Sequence, residues 1–140
     1  MNVDTKQFRR AHDELEKHAE LAAAAGSFPT LTAGEREDVR RTLVTFLREQ
    51  VEPHTKLDEE LLYPAVANRL GDPLIAASMN YDHLAIRDWI KRIDEVDVTD
   101  TALCQKLLYG LDALISVHVW KENELFLASL GPSSWPPAAR

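Results

Sequence analysis

The segment His54-Thr-Lys-Leu-Asp-Glu-Glu-Leu-Leu-Tyr-Pro64 decides the fold. A helix through it stacks His54 and Asp58, four residues apart, on one face. Leu57 and Leu61 fall three and seven residues after His54, so both polar groups lie within the apolar stripe. A carboxylate placed there persists only if it is paired or bound to a metal. His118 and Glu122 repeat the spacing between Leu114 and Leu125. His12 and His83 fall in apolar rows of their own. The joint pattern points to a metal site inside a helix bundle.

Working outward, the apolar positions Phe8, Leu15, Ala19 and Ala22 share a helical row with His12, predicting a helix from about Thr5 to Ala25. Asp4 is its N-cap and Gly26 its stop. Thr32 with Glu35 forms a capping-box signature that opens a second helix running to about Arg69. Its stripe is Val39, Leu43, Phe46, Leu47, His54, Leu57, Asp58, Leu61 and Ala65. Pro53 and Pro64 interrupt the pattern and predict kinks, with a break near Pro53 as the alternative. Leu70-Gly-Asp-Pro reads as a stop followed by a start, with Asp72 as N-cap and Pro73 opening the third helix. That helix carries Ile75, Met79, His83, Ile86, Ile90 and Ile93. After a link at 96–100, a fourth helix from Thr101 to Leu130 bears Leu103, Leu107, Leu111, Leu114 and Leu125. His118 and Glu122 stand in that row where leucines would be expected. Four helices with short links predict an all-α, antiparallel up-down-up-down four-helix bundle.

A chain of 140 residues is expected to form one domain over residues 1–130, followed by a Pro- and Ser-containing tail at 131–140. Its composition, 45% hydrophobic and 28% charged, is that of a globular protein. A net charge of −7 with dispersed acids argues against nucleic acid as a partner, because phosphate binding draws on clustered Lys and Arg. No apolar run reaches bilayer length and the start lacks signal-peptide character, so the expected location is cytoplasmic, with no membrane partner. Cys104 is the lone cysteine, which excludes an intrachain disulfide and a thiolate zinc cage.

Each candidate has a plainer reading. A single histidine on an apolar face is more often a hydrogen-bonded core residue than a ligand. Asp58 could pair with a base of a neighbouring helix, and Glu122 with Lys121. Glu59, Glu60 and Glu124 read as surface charge, and His18 as a flank residue about 120° round from His12. Imidazole and carboxylate donors together suit iron or manganese.

The ordered elements His12, His54-x-x-x-Asp58 with Glu-Glu-Leu-Leu-Tyr-Pro following, Asp82-His83-Leu-x-Ile, and His118-x-x-x-Glu122 resemble the hemerythrin-like (HHE cation-binding) domains. The resemblance covers roughly residues 5–130 and implies a four-helix bundle around a non-haem di-iron centre. His12 and His54 would then ligate one iron, and His83 and His118 the other. Asp58 and Glu122 would bridge the two ions, together with an oxo or hydroxo group. Manganese is the alternative metal.

Two departures stand out. Oxygen-carrying hemerythrins have a histidine one turn after the third-helix ligand, where this chain has Arg87, and glutamate is usual at Asp58. The resemblance implies binding of a small diatomic molecule or peroxide, namely dioxygen, peroxide or nitric oxide, and open metal positions favour reaction over carriage. A catalase-like disproportionation of peroxide fits that chemistry, although no catalytic residue is named by the sequence. The rival readings are a non-catalytic oxygen or iron sensor acting through a protein partner, with Trp89 and Trp120 as surface candidates, and a metal-free structural bundle.

Overall fold

The computed structural model describes residues 3–130, and among them are four long helical segments and no strand. The expected tail at 131–140 lies outside the described residues. Helix α1 covers residues 5–27, built from Thr5–Leu15, a 3-10 turn Glu16–His18, and Ala19–Ser27. Helix α2 runs unbroken over residues 33–70, α3 is Ala77–Glu95, and α4 covers residues 101–130.

The helix ends follow local chemistry. Asp4 accepts hydrogen bonds from the Lys6 and Gln7 amides. Both bonds of the Thr32–Glu35 capping box form. Asp100 caps α4 by accepting from the Leu103 amide, and Gly71 ends α2 in the left-handed region at φ 68°. Two boundaries differ from expectation. Helix α1 continues through Gly26 to Ser27, and a 3-10 turn Phe28–Thr30 follows. Asp72 caps only a turn, its carboxylate accepting from the Leu74 amide, so α3 begins at Ala77.

The prolines do not break α2. Two π-helical turns, Leu47–Val51 and Asp58–Leu62, precede Pro53 and Pro64. A proline ring crowds the carbonyl four residues earlier, here Glu49 and Glu60. Both carbonyls lie within the widened turns. A third π turn, Glu122–Leu127, occurs in α4 without a proline.

These irregular turns re-phase the buried stripes. A π turn advances less per residue than an α turn, so the residue one place later comes round to the core. Leu61 is accordingly 41% exposed and Leu125 38% exposed, while Leu62, Phe126 and Leu127 are buried. The tighter 3-10 turn acts in the opposite sense: Ala19 is exposed, whereas Leu21, Ala24 and Ala25 are buried. In α4 the inward row also includes Cys104 and Ile115, with Leu103 outside.

The core divides into two apolar clusters. One gathers Leu15, Leu21, Leu47, Val51, Ile86, Ile90, Leu111 and Ile115, and the other Phe8, Leu62, Tyr63, Val66, Met79, Phe126 and Leu127. On every helix the predicted polar residues fall between members of the two clusters: Phe8–His12–Leu15, Val51–His54–Asp58–Leu62, Met79–His83–Ile86, and Ile115–His118–Glu122–Phe126. A polar layer is thus sealed on both sides by close-packed apolar side chains.

Candidate metal centre

All six predicted side chains lie in that layer and are buried, with Asp58, His83 and Glu122 at 0% exposure. Their donor atoms form two overlapping groups, each within 4.8 Å of one another: His12, His54, Asp58 and Glu122, then Asp58, His83, His118 and Glu122. Asp58 and Glu122 belong to both groups. In the first group His12 Nε2 lies 3.2 Å from Glu122 Oε1 and His54 Nε2 lies 3.3 Å from Asp58 Oδ1. In the second, His83 Nε2 lies 3.5 Å from Asp58 Oδ2 and His118 Nε2 lies 3.4 Å from Glu122 Oε1.

The outer ring nitrogens set the chemistry of the inner ones. His83 Nδ1 donates to Glu59 Oε1 at 3.1 Å, and His118 Nδ1 donates to Asp82 Oδ2 at 2.9 Å. His12 Nδ1 is 2.6 Å from Asn123 Oδ1, an acceptor. A neutral imidazole that donates from Nδ1 presents a lone pair at Nε2. The Nε2 atoms nevertheless pair at 3.0 Å, His12 with His54 and His83 with His118. None of the four oxygens of Asp58 and Glu122 accepts a hydrogen bond.

Lone pairs and carboxylate oxygens without partners are thus gathered in a buried layer, where each uncompensated ion costs several kcal/mol. A cation removes that conflict. Donors about 2.0–2.1 Å from an ion and at right angles to each other are about 3 Å apart, the spacing found within each histidine pair. The donors are nitrogen and oxygen only, which fits iron or manganese. The residues present therefore fit the metal that the sequence resemblance implies.

The electrostatics of the layer are uneven. Burial raises the Asp58 carboxyl well above its usual range, reinforced by the negative charge of Glu122. Burial also opposes ionisation of Glu122, but the facing imidazoles of His118, His12 and His54 outweigh it and lower its pKa. Burial, with His118 beside it, pushes His83 down to about 4. At His118 burial is outweighed by Glu122 and Asp82, and the pKa rises.

Several residues around the layer were not given a role by the sequence reading. Glu59, read there as surface charge, bonds His83 and accepts from Arg87 Nη2 at 3.0 Å. The correction has a simple origin: Glu59 lies beside Asp58 on α2, and His83 reaches it from α3. Arg87 is held by Glu59 and Thr55, while the neighbouring acids Asp88 and Asp94 pair with Arg92 and Arg48. Lys121 bonds Asp82 at 2.6 Å rather than Glu122. Tyr63, quoted above only as part of a motif, brings its hydroxyl 2.9 Å from His83 Nε2 and 3.2 Å from His118 Nε2. Glu60 and Glu124 are exposed, as expected. His18 stays outside the layer and pairs with Asp112 at 2.7 Å. Trp89 packs against the core, and Trp120 is 60% exposed. No helix among the described residues is long and apolar enough to cross a membrane.

Comparison with curated proteins and with solved structures gave no match. The family model described as the Hemerythrin HHE cation binding domain matches residues 3–130. With nearly the whole chain matched, and a buried His/Asp/Glu cluster that could hold a metal ion within the match, the chain belongs to the hemerythrin HHE cation-binding domain family.

Proposed function

We propose that this protein is a non-haem di-iron protein that binds dioxygen, peroxide or nitric oxide. His12 and His54 hold one iron, His83 and His118 the other, and Asp58 and Glu122 bridge them, with an oxo or hydroxo group as further bridge. Manganese is the lesser alternative. The observation that carries this reading is the sharing of Asp58 and Glu122 between the two histidine pairs, with all four of their oxygens unbonded and buried.

The bundle is read as up-down-up-down over residues 1–130, with 131–140 as a tail. Cross-helix contacts run in opposite order along the α2–α3 and α3–α4 pairs, which supports that topology. Glu59 of α2 meets His83 of α3 while Arg48 meets Asp94, and Trp89 of α3 meets Gly110 of α4 while Asp82 meets His118. A buried free Cys104 needs no oxidising compartment, consistent with a cytoplasmic setting.

When bound, the iron pair supplies reversible redox chemistry towards small oxygen species. The chain's own contribution is to hold four Nε2 lone pairs and two carboxylates in place, with Glu59 and Asp82 fixing the orientation of two imidazoles. The apolar clusters on either side keep water from the layer. A catalase-like disproportionation of peroxide is the activity we assign to such a site.

The test is a metal count on iron-loaded protein, with optical spectra and oxygen evolution recorded on adding peroxide. Two irons per chain, a ferric charge-transfer absorption that peroxide alters, and oxygen evolved above free iron are expected. Protein that retains no metal contradicts the reading. Should iron be bound without oxygen evolution, the sensor alternative stands, in which a partner docks on an exposed surface such as that bearing Trp120 and Val117 of α4.

A further inference from the structure

We propose that the C-terminal tail, residues 131–140, docks as a strap on the outer face of α3 and α4, with Trp135 seated between Tyr81 and Trp120. This contact requires no metal. It starts from an apolar patch. Asp82 of α3 bonds both His118 and Lys121 of α4, which sets residues 81–84 alongside residues 117–121. Tyr81 and Leu84, three apart, share the outer side of α3, as Val117 and Trp120 do on α4. All four are wet: Tyr81 is 72% exposed, Leu84 58%, Val117 54% and Trp120 60%. Leu74, just ahead of α3, is 75% exposed. Single apolar residues are ordinary on a protein surface, but a contiguous patch marks a place that something covers.

The chain beyond Leu130 supplies the occupant. Leu130 packs with Ile75 against the cluster of Leu62, Tyr63 and Val66, so the tail leaves the bundle where α3 begins, beside Leu74. The segment reads Gly131-Pro-Ser-Ser-Trp-Pro-Pro-Ala-Ala-Arg140, with Arg140 its one charged side chain and no acid. Pro-rich sequences of this kind favour the extended polyproline form, which docks on grooves lined by aromatic rings. Tyr81 and Trp120 provide such rings, one from each helix.

The lengths agree. Trp120 lies ten residues before Leu130, about 15 Å back along α4. Gly131-Pro132 is a turn signal at which the chain can reverse. The five residues from Leu130 to Trp135 then span about 16 Å in polyproline form, which brings the indole level with Trp120.

The docked tail covers more than apolar surface. It lies over the Asp82–Lys121 pair, whose side chains are 20% and 28% exposed, and screens from water the brace behind His118. A protein partner that takes the Trp120 surface must first displace the strap.

The test places a nitroxide spin label on the full chain at Ala138→Cys, three residues after Trp135, and reads its mobility by electron paramagnetic resonance. Cys104 is buried, which directs the label to the tail. A slow-motion spectrum is expected, with a correlation time about tenfold longer than in the same chain carrying Tyr81→Glu and Trp120→Glu, both at exposed positions. Trp135→Ala should free the label equally. A tether this short holds the tail at an effective concentration of about millimolar, so the slow spectrum should persist on dilution from about 100 to about 1 μM protein. A freely tumbling label in the chain with its patch and Trp135 intact overturns the proposal, whether or not the variants fold. So does a slow spectrum that survives either set of substitutions. A slow spectrum lost on dilution overturns it as well, since the patch is then covered by a second copy of the chain.

Discussion

The two halves of the polar layer are built from the same donors but supported differently. Around His83 and His118 both outer nitrogens meet carboxylates, and each carboxylate is braced by a base: Glu59 by Arg87, and Asp82 by Lys121. Around His12 and His54 the support is neutral. His12 meets the Asn123 amide, no described residue hydrogen-bonds His54 Nδ1, and the Phe8 ring lies 6.2 Å from the His54 ring. A carboxylate behind an imidazole raises its basicity as a ligand. On the di-iron reading proposed above, the difference implies a firmly held ion on the α3–α4 side and a more weakly held one on the α1–α2 side.

The sharpest break of this comparison comes from the residues common to both halves. Glu122→Ala or Asp58→Ala should reduce the iron count from two per chain towards zero, read by elemental analysis. At free metal 100 to 1,000 times the dissociation constant, the stability added by binding is about 3–4 kcal/mol. Thermal unfolding with and without iron should lose most of that gain in either variant. Next in size, Asp82→Asn or Glu59→Gln should weaken iron binding about 10- to 100-fold in chelator competition, as is usual for groups behind a metal-bound histidine. Asn123→Ala should cost less, and equal losses on the two sides would erase the proposed asymmetry. Acid should act in the same order: protonation competes with metal for every donor, so iron leaves as pH falls. The His12/His54 ion should leave first, giving two steps in a titration followed by metal release.

Smaller effects test the separation of the layer from the apolar clusters. A methyl group at Gly110 would sit 2.0 Å from Trp89 Cζ3, so the indole must shift. Gly110→Ala should cost about 1–3 kcal/mol in urea unfolding while leaving two irons bound. Smallest is His18→Ala, which removes a partly buried pair with Asp112. It should cost under about 1 kcal/mol and leave the ferric spectrum unchanged.

Much of this was legible in the sequence because burying charge is expensive. A histidine and an acid four residues apart in an apolar row, found twice, have few stable explanations, and all six singled-out side chains do meet in one layer. Caps such as Asp4 and the Thr32–Glu35 box were equally legible because their chemistry is local. A fixed helical period failed where the winding changes. Leu61 and Leu125 were assigned inward, and the π turns after Asp58 and Glu122 turned Leu62 and Phe126 inward instead. Pro64 hinted at the first of these irregularities, and nothing comparable marks the second. Tyr63 was missed for the same reason, since a residue five places after Asp58 shares its face only across a widened turn. Glu59, Asp82 and Asn123 were missed because their partners lie on other helices, a pairing that no single-helix pattern reveals.

The central claim is that six inward side chains exist to hold two cations. Crystals of the iron-loaded protein, measured at the iron absorption edge, test it most directly. The account predicts two anomalous peaks within the polar layer, one between His12 and His54 and one between His83 and His118, with Asp58 and Glu122 reaching both. A single peak, or peaks confined to the protein surface, would contradict it.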